Sequence, residues 1–305
     1  MAFLHLLEGI RVPVLDVLFQ YITLFGEETM FILFGLLYFW CVDKREGYFL
    51  LCIGLLGTVI NQFLKLWFRI PRPWVRDPSF TIVESAREAA TGYSFPSGHT
   101  QTSVGVYGGI ARWTGKSLMS TICVALCVLV PLSRMYLGVH TPADVGVSIA
   151  VALVLIFVLC PLLKKHCDNA KVMRPLLGAM VLAAAANIAF VTLYPFPADV
   201  DMDNLAHGVK NAYTMLGCIA GVWASWEVDR KYIHFETKAS LTAQVVKLVL
   251  GMAILLGIKA ALKVPLYALT GGHNIADFVR YFLMVAFAGC LWPLTFPFWN
   301  KKLSK

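Results

Sequence analysis

The stretch "SRMYLGVHTPADVGVSIAVALVLIFVLC", residues 133–160, decides the fold class of this chain. Its first half holds an arginine, a histidine and an aspartate, and no charged residue follows Asp144 within the stretch. A helix needs roughly 20 mostly apolar residues to cross a bilayer core of ~30 Å. The stretch therefore predicts a transmembrane helix that begins directly after polar residues of functional interest.

The rest of the chain repeats this apolar pattern. Its 305 residues are 58% hydrophobic and 14% charged, whereas a soluble domain is about one quarter charged. Apolar spans fall near residues 27–42, 48–68, 98–114, 118–136, 143–163, 175–196, 209–226, 241–262 and 277–299. None alternates with the period of two that is typical of a membrane β-strand. We predict an all-α, polytopic membrane helical bundle.

The N-terminal segment lacks a basic start, and Glu8, Arg11 and Pro13 break its first apolar run. We therefore expect an interfacial or tilted helix there rather than a cleaved signal. The eight cysteines show no metal-type CxxC spacing, and seven of them lie in or beside apolar runs. Cys167 is the eighth, in a basic loop. We interpret them as small buried apolar side chains.

The net charge of +8 is distributed unevenly along the chain. If the helices alternate in direction, most basic residues fall in one set of connections, which the positive-inside rule assigns to the cytoplasm. These residues are Lys44, Arg45, Arg112, Lys116, Lys164, Lys165, Lys171, Arg174, Arg230, Lys231, Lys238, Lys301, Lys302 and Lys305. Membrane topology thus explains the basic balance without a nucleic acid partner. We expect a plasma membrane location, with the other face towards the periplasm, the exterior or an organelle lumen.

Three polar motifs stand at the predicted outward ends of helices: "KLWFRIPRP" (65–73), "PSGH" (96–99) and "SRMYLGVHTPAD" (133–144). Each alone has a structural explanation, such as a snorkelling lysine, a capping serine or an aspartate in a first helical turn. Together they place Lys65, Arg72 and Arg134 in one pocket. Three crowded cations repel one another unless an anion binds, and phosphate suits guanidinium and ammonium groups.

The remaining motif residues suggest separate roles in phosphate chemistry. Ser97 and Gly98 begin a helix, where backbone N–H groups and the absence of a Cβ favour a bound anion. His140 lies four residues before Asp144, which can accept a ring N–H, so we interpret His140 as the nucleophile. His99 has no carboxylate in its motif and is free to act as the general acid.

These motifs resemble the three-part signature of the type 2 phosphatidic acid phosphatase superfamily, which includes lipid phosphate phosphatases and vanadium haloperoxidases. The signature is Lys-x6-Arg-Pro, then Pro-Ser-Gly-His, then Ser-Arg-x5-His-x3-Asp, and all three parts match in order and spacing. The resemblance covers about residues 25–163. It implies a six-helix core and a phosphohistidine mechanism that needs no metal or other cofactor. It also implies phosphate binding by Lys65, Arg72, Ser97, Gly98 and Arg134, with His99, His140 and Asp144 catalytic.

We accordingly divide the chain into a catalytic membrane core, residues 1–165, and an extension of three or four transmembrane helices, residues 166–305. The expected substrate is a lipid phosphate or diphosphate, such as phosphatidate, phosphatidylglycerophosphate, a polyprenyl diphosphate or a sphingoid-base phosphate. Phosphotransfer to another hydroxyl, hydrolysis of a sugar phosphate, and lipid transport without catalysis stay open. Gly105 and Gly109 permit close helix contact, within one chain or between copies in a homo-oligomer.

The extension carries further polar residues inside apolar spans or beside them. We interpret Arg280 as paired with Asp277, and Lys247 and Lys259 either as snorkelling or as lying in a polar interior of the bundle. The acids Asp199, Asp201 and Asp203 with His207 and His273 are either exposed surface groups or a metal site or substrate lid, and we favour the former.

Overall fold

A computed structural model describes residues 1–115 and 117–303, and those residues form helices joined by turns and irregular connections, with no β-strand. The predicted all-α fold is therefore confirmed. Lys116 and Lys305, two of the predicted cytoplasmic cations, lie outside the described residues. The α-helices are, in chain order, α1 Ala2–Glu8, α2 Pro13–Leu24, α3 Glu28–Leu37, α4 Lys44–Phe68, α5 Pro73–Arg76, α6 Gly98–Ser103, α7 Gly109–Thr114, α8 Leu118–Tyr136, α9 Pro142–His166, α10 Ala170–Leu193, α11 Met202–Val228, α12 Leu241–Ala261, α13 Lys263–Leu269, α14 Ile275–Ala286 and α15 Phe296–Lys302.

Six helical segments of the described chain are long and apolar enough to cross a bilayer: Lys44–Arg76, Leu118–Tyr136, Pro142–His166, Ala170–Leu193, Leu241–Leu269 and Ile275–Lys302. A seventh is formed if α2 and the segment Glu28–Val42, which meet at a 46° bend, count as one broken span. The first apolar span then begins before residue 27, where the sequence placed it.

Two predicted spans differ from this set. A π-helical turn, Val104–Gly108, separates α6 from α7, so the predicted span 98–114 consists of short helical pieces. The predicted span 209–226 lies within α11, whose early turns carry polar and charged residues and lower its apolar character. The apolar residues alone did not reveal the π-helical turn in the first segment or the effect of the polar early turns of α11.

The chain forms two compact units that interleave along the sequence. The first comprises Met1–Ile32, Cys52–Pro161 and Pro197–Gly208, and the second comprises Leu33–Leu51, Leu162–Phe196 and Val209–Lys305. In the first unit, buried Tyr136, Leu137 and Val139 pack with Ala86 and Trp74, which fixes the long segment after α5 against the end of α8. The division of the chain near residue 165 stays a prediction.

Local sequence explains the helix ends that carry the polar motifs. Helix α4 ends at Phe68, and Arg69 takes the left-handed conformation (φ 49°) that commonly closes a helix. Ser97 caps α6, because its hydroxyl accepts a hydrogen bond from the Thr100 N–H. The α9 start is a capping box, in which the Thr141 hydroxyl accepts from the Asp144 N–H and the Asp144 carboxylate accepts from the Thr141 N–H.

Candidate active site

The three polar motifs meet at one place in the first unit. The Ser97 N–H donates to the carbonyl of Asp144 at 3.1 Å, and this joins the second motif to the third. Arg72 Nη1 lies 3.0 Å from His140 Nε2 and donates to the Val139 carbonyl at 3.0 Å, which joins the first motif to the third. The structure thus brings together residues that lie up to about 80 positions apart along the chain.

His140 and Asp144 face each other across the start of α9. His140 Nδ1 lies 3.5 Å from Asp144 Oδ2, within ion-pair range, but no hydrogen bond joins the two atoms. The sequence led us to expect that bond. Asp144 Oδ2 instead accepts from the Ser94 hydroxyl at 2.6 Å and from the Thr141 N–H at 2.7 Å. Both residues are buried, so water does not screen the interaction between them.

The Arg72 contact indicates which nitrogen of His140 carries the proton. A guanidinium only donates, so His140 Nε2 must accept and the ring proton lies on Nδ1, towards Asp144. Arg72 also donates to the carbonyls of Thr91 (2.6 Å) and Gly92 (3.0 Å), which fix its position. The Nε2 lone pair, which a nucleophilic role of His140 would use, is therefore covered by Arg72 in this conformation.

The three cations of the motifs are buried. Lys65 and Arg72 are each 7% exposed and Arg134 is 1% exposed. Lys65 donates to the Tyr93 carbonyl, and Arg134 Nη1 donates to the Thr23 hydroxyl at 2.8 Å. Arg134 Nε and Nη2 have no partner. Within the described chain, no carboxylate lies at ion-pair distance from any of the three, so their positive charges are left for a ligand.

These cations also act on His140. Burial lowers the pKa of His140 well below its ordinary value of 6.5, and the positive charges of Arg72, Arg134 and Lys65 lower it further. A low pKa keeps the imidazole neutral at physiological pH, which a nucleophile requires. The cations would also stabilise negative charge on a phosphate held beside the ring.

The helix start at Ser97 is open towards this pocket. A Cβ built on Gly98 would meet nothing within 4 Å, so a ligand can approach the backbone there. The Ser97 carbonyl accepts from the Ser148 hydroxyl at 2.9 Å, which ties α6 to α9. His99 Nε2 is buried without a partner. The backbone of His99 lies so close to Gly26 that a Cβ at Gly26 would stand 2.9 Å from the His99 Cβ.

Sequence reasoning missed three residues that support the site: Thr23, Ser94 and Ser148. Ser94 stands two residues before Pro96, so its place beside the "PSGH" motif was a usable signal. Ser148 lies one helical turn after Asp144, on the same face of α9. Thr23 lies in α2, and nothing in the linear pattern connects it with Arg134.

The second unit contains a buried arginine with a carboxylate partner. Arg280 lies 2.5 Å from Asp277, as the sequence predicted, and Tyr267 also donates to Asp277. In the first unit, Asp199, Asp201 and Asp203 are exposed. Within residues 1–115 and 117–303, no group of three or more His, Cys, Asp or Glu side chains is arranged to hold a metal ion.

Comparison with known protein families matches both parts of the chain. Residues 45–168 match the family described as the PAP2 superfamily. Residues 213–302 match the family described as the PAP2 superfamily phosphatase, transmembrane extension. No solved structure is significantly similar to the chain.

Three curated relatives are phosphatases by name. Phosphatidylglycerophosphatase B of Bacillus subtilis (strain 168) is 30% identical over 161 residues, which cover 48% of this chain and 75% of the relative. The "Probable sphingosine-1-phosphate phosphatase" of Dictyostelium discoideum is 29% identical over 160 residues, covering 48% and 38%. Undecaprenyl-diphosphatase BcrC of Bacillus subtilis (strain 168) is 33% identical over 104 residues, covering 34% and 51%.

The chain thus spans from about two fifths to three quarters of the length of these relatives. The match to phosphatidylglycerophosphatase B and the two family matches agree with the converging motifs and with the membrane-spanning helices. On these grounds the chain is a multi-pass membrane protein that belongs to the PAP2 superfamily.

Proposed function

We propose that the chain is an integral-membrane phosphatase that hydrolyses a lipid phosphate or diphosphate through a phosphohistidine on His140. One observation carries the proposal: three buried cations without carboxylate partners surround a histidine whose Nδ1 faces Asp144. Such a pocket fits a phosphate dianion. The relatives, named for phosphatases of sphingosine 1-phosphate, phosphatidylglycerophosphate and undecaprenyl diphosphate, support a lipid substrate.

In the first step, the phosphate oxygens bind Lys65, Arg72, Arg134, the Ser97 hydroxyl and the Gly98 N–H. The phosphate then replaces His140 Nε2 as a partner of Arg72 Nη1, which frees the nucleophilic lone pair. Nε2 forms a bond to phosphorus while the bond from phosphorus to the ester oxygen breaks. His99, which takes up a proton when the phosphate dianion is bound beside it, donates that proton to the ester oxygen, and Asp144 stabilises the positive His140 imidazolium through Nδ1–H.

In the second step, a water oxygen attacks phosphorus and His99 takes the water proton. The P–N bond breaks, inorganic phosphate leaves, and His140 returns to the neutral form. The residues of the chain supply the whole sequence of proton transfers, so we propose that neither a metal nor another cofactor takes part. An alcohol in place of water would give phosphotransfer.

Most lysines and arginines lie in the set of connections that the positive-inside rule assigns to the cytoplasm. This distribution supports an orientation in which the site lies at the other, extracytoplasmic face of the plasma membrane or of an organelle membrane. A lipid phosphate can reach a site at this level with its tail still in the bilayer. We also propose that residues 1–165 form the catalytic core and residues 166–305 an added membrane extension.

The test is phosphate release by purified protein from a panel of lipid and sugar phosphates in excess chelator. We expect release from lipid phosphates, and a loss on the order of 10³-fold or more in His140→Ala. His273→Ala, a change outside the site, is the control and should keep full activity. Undiminished turnover by His140→Ala would refute the nucleophile, and lipid flux in vesicles without phosphate release would favour a transporter.

A further inference from the structure

Two carboxamide side chains of the first unit are buried without hydrogen-bond partners. Asn61, on α4, is 3% exposed, and neither its oxygen nor its nitrogen has a partner. Gln101, on α6, is 5% exposed, and its Nε2 has none. Both lie outside the three motifs, and the mechanism proposed above uses neither.

Such groups are costly to bury. An unpaired buried donor or acceptor destabilises the folded state by about 1–3 kcal/mol, and the membrane interior offers no water to replace the partner. Apolar residues of the same shape, such as leucine and methionine, would fill the same space at no such cost. Buried polar side chains beside a candidate site are therefore candidates for contact with a polar group of the substrate.

Helix geometry places both carboxamides at one face of α4. Gly57, Asn61 and Lys65 recur every four residues and so share that face. A Cβ at Gly57 would stand only 2.7 Å from Gln101 Nε2, so the Gln101 amide lies against this face. The missing side chain at Gly57 thus makes room for the amide one turn before Asn61.

The same geometry places this pair next to the phosphate pocket. Asn61 is one turn before Lys65 on α4, and Gln101 is one turn after Ser97 on α6, where its N–H donates to the Ser97 carbonyl at 3.0 Å. One helical turn of four residues is about 6 Å long. Asn61 therefore lies about 6 Å along α4 from Lys65, and the Gln101 backbone lies about 6 Å along α6 from Ser97.

We propose that Asn61 and Gln101 bind hydroxyl or amine groups on the carbons of the lipid next to the phosphate ester. A carboxamide both donates and accepts, and it carries no charge, so it suits a hydroxyl or amine better than a second phosphate. Sphingoid-base and glycerol-based phosphates carry such groups, whereas polyprenyl and simple alkyl phosphates do not. The inference rests on the proposed phosphatase function and narrows its substrate class.

The experiment compares kcat/KM for three substrates of equal chain length: a sphingoid-base phosphate, a lysophosphatidate and an unbranched alkyl phosphate. In the wild-type protein, kcat/KM for one or both polar substrates should exceed kcat/KM for the alkyl phosphate by at least about tenfold. A tenfold ratio corresponds to ~1.4 kcal/mol, which is the contribution of one hydrogen bond. The substrate that is preferred separates a sphingoid-base source from a glycerol source. Asn61→Leu and Gln101→Met should each reduce this ratio about tenfold.

The matched control is Thr58→Val, on the same helix, whose hydroxyl already donates to the Gly54 carbonyl at 2.8 Å. It should leave the kcat/KM values of all three substrates unchanged. Because the two test variants remove unpaired polar groups, their melting temperatures should equal or exceed that of the wild type, which separates loss of recognition from loss of folding.

An unchanged ratio in both test variants would overturn the inference, as would a wild-type protein that hydrolyses all three substrates equally. Failure of the wild type to release phosphate from any of them would overturn the proposed function itself.

Discussion

The two units treat buried cations in opposite ways. In the first unit, Arg134 is almost fully buried with a single hydroxyl partner, and two of its nitrogens are unpaired. In the second unit, the equally buried Arg280 lies 2.5 Å from Asp277. A buried charge that already has its counter-charge serves the fold, whereas one without it is held ready for a ligand. The presence or absence of a carboxylate partner therefore distinguishes the cations of the candidate site from other buried cations better than burial alone does.

Other residues of the second unit follow the same pattern, with one exception. Lys44 lies 2.7 Å from Asp229, which also accepts from the Phe235 N–H. Lys247 is fully buried without a carboxylate nearby, but its ammonium lies 4.6 Å from the centre of the Phe296 ring and near the Thr237 carbonyl. A cation–π contact with Phe296 therefore stabilises the Lys247 ammonium, as a carboxylate stabilises the other cations.

The largest expected effect comes from exchanging the two arginines for methionine. Arg134→Met should lower kcat/KM by about 10²–10³-fold, because a charge that stabilises the transition state is lost, while the protein stays folded. Arg280→Met should lower the free energy of unfolding by about 3 kcal/mol, because Asp277 is left as an unpaired buried charge. Phosphate release and thermal melting, measured on both variants, give the two readouts.

The double variant Asp277→Leu/Arg280→Met controls this comparison, since it removes both charges and should recover most of the lost stability. The distinction between the units would fail if Arg134→Met melted much earlier than the wild type while Arg280→Met did not.

A smaller effect is expected at Ser94. Its hydroxyl donates to Asp144 Oδ2, and a hydrogen bond to a charged group contributes about 1.5–3 kcal/mol. Ser94→Ala should therefore lower kcat by about tenfold to a hundredfold with little change in KM, because Asp144 is less well positioned to stabilise the His140 imidazolium. Steady-state kinetics measure the split. Ser103→Ala, which removes a hydroxyl bonded only within α6, is the control and should have no effect.

The smallest expected effect concerns His5, a residue at the surface of the first unit whose ring contacts two carboxylates. His5 Nδ1 lies 2.8 Å from Glu8, and His5 Nε2 lies 3.0 Å from Asp77, so only the doubly protonated ring can donate to both. The hydrogen bond to Asp77, and then that to Glu8, raises the pKa of His5 above its ordinary 6.5. The contact is therefore fully present below pH 6.5 and is lost as the pH rises through this raised value.

We expect His5→Phe to speed amide exchange at Thr81, whose N–H donates to Glu8, but only at low pH. The difference between variant and wild type should close as the pH rises, and hydrogen exchange read by mass spectrometry measures it. A difference that is independent of pH would assign His5 a packing role against Phe80 instead.

The sequence predicted that the three motifs meet because each motif is contiguous and carries its polar groups in a few residues. It predicted the pairing of Asp277 with Arg280 for the same reason, since three residues separate them on one helix. The contact of Thr23 with Arg134 joins positions 111 apart and depends on how α2 packs against α8. No local pattern encodes that, and the same holds for Gln101 against Gly57.

The helix boundaries were predicted less well than the site. Apolar runs indicate that a segment avoids water, but they do not show where its backbone changes pitch. The π-helical turn after Ser103 and the 46° bend between α2 and the next segment both lie within or beside apolar sequence. Each is fixed by packing against neighbouring helices, which a single window of residues does not contain.

In this structure the Nε2 electron pair of His140, the proposed nucleophile, is occupied by a hydrogen bond from Arg72. Under the proposed mechanism, a phosphoryl oxygen that competes for the guanidinium uncovers it. Alkylating or acylating reagents that carry no such oxygen would then meet a covered nitrogen. Arg72 would thereby both shield His140 from other electrophiles and bind the phosphate of the substrate.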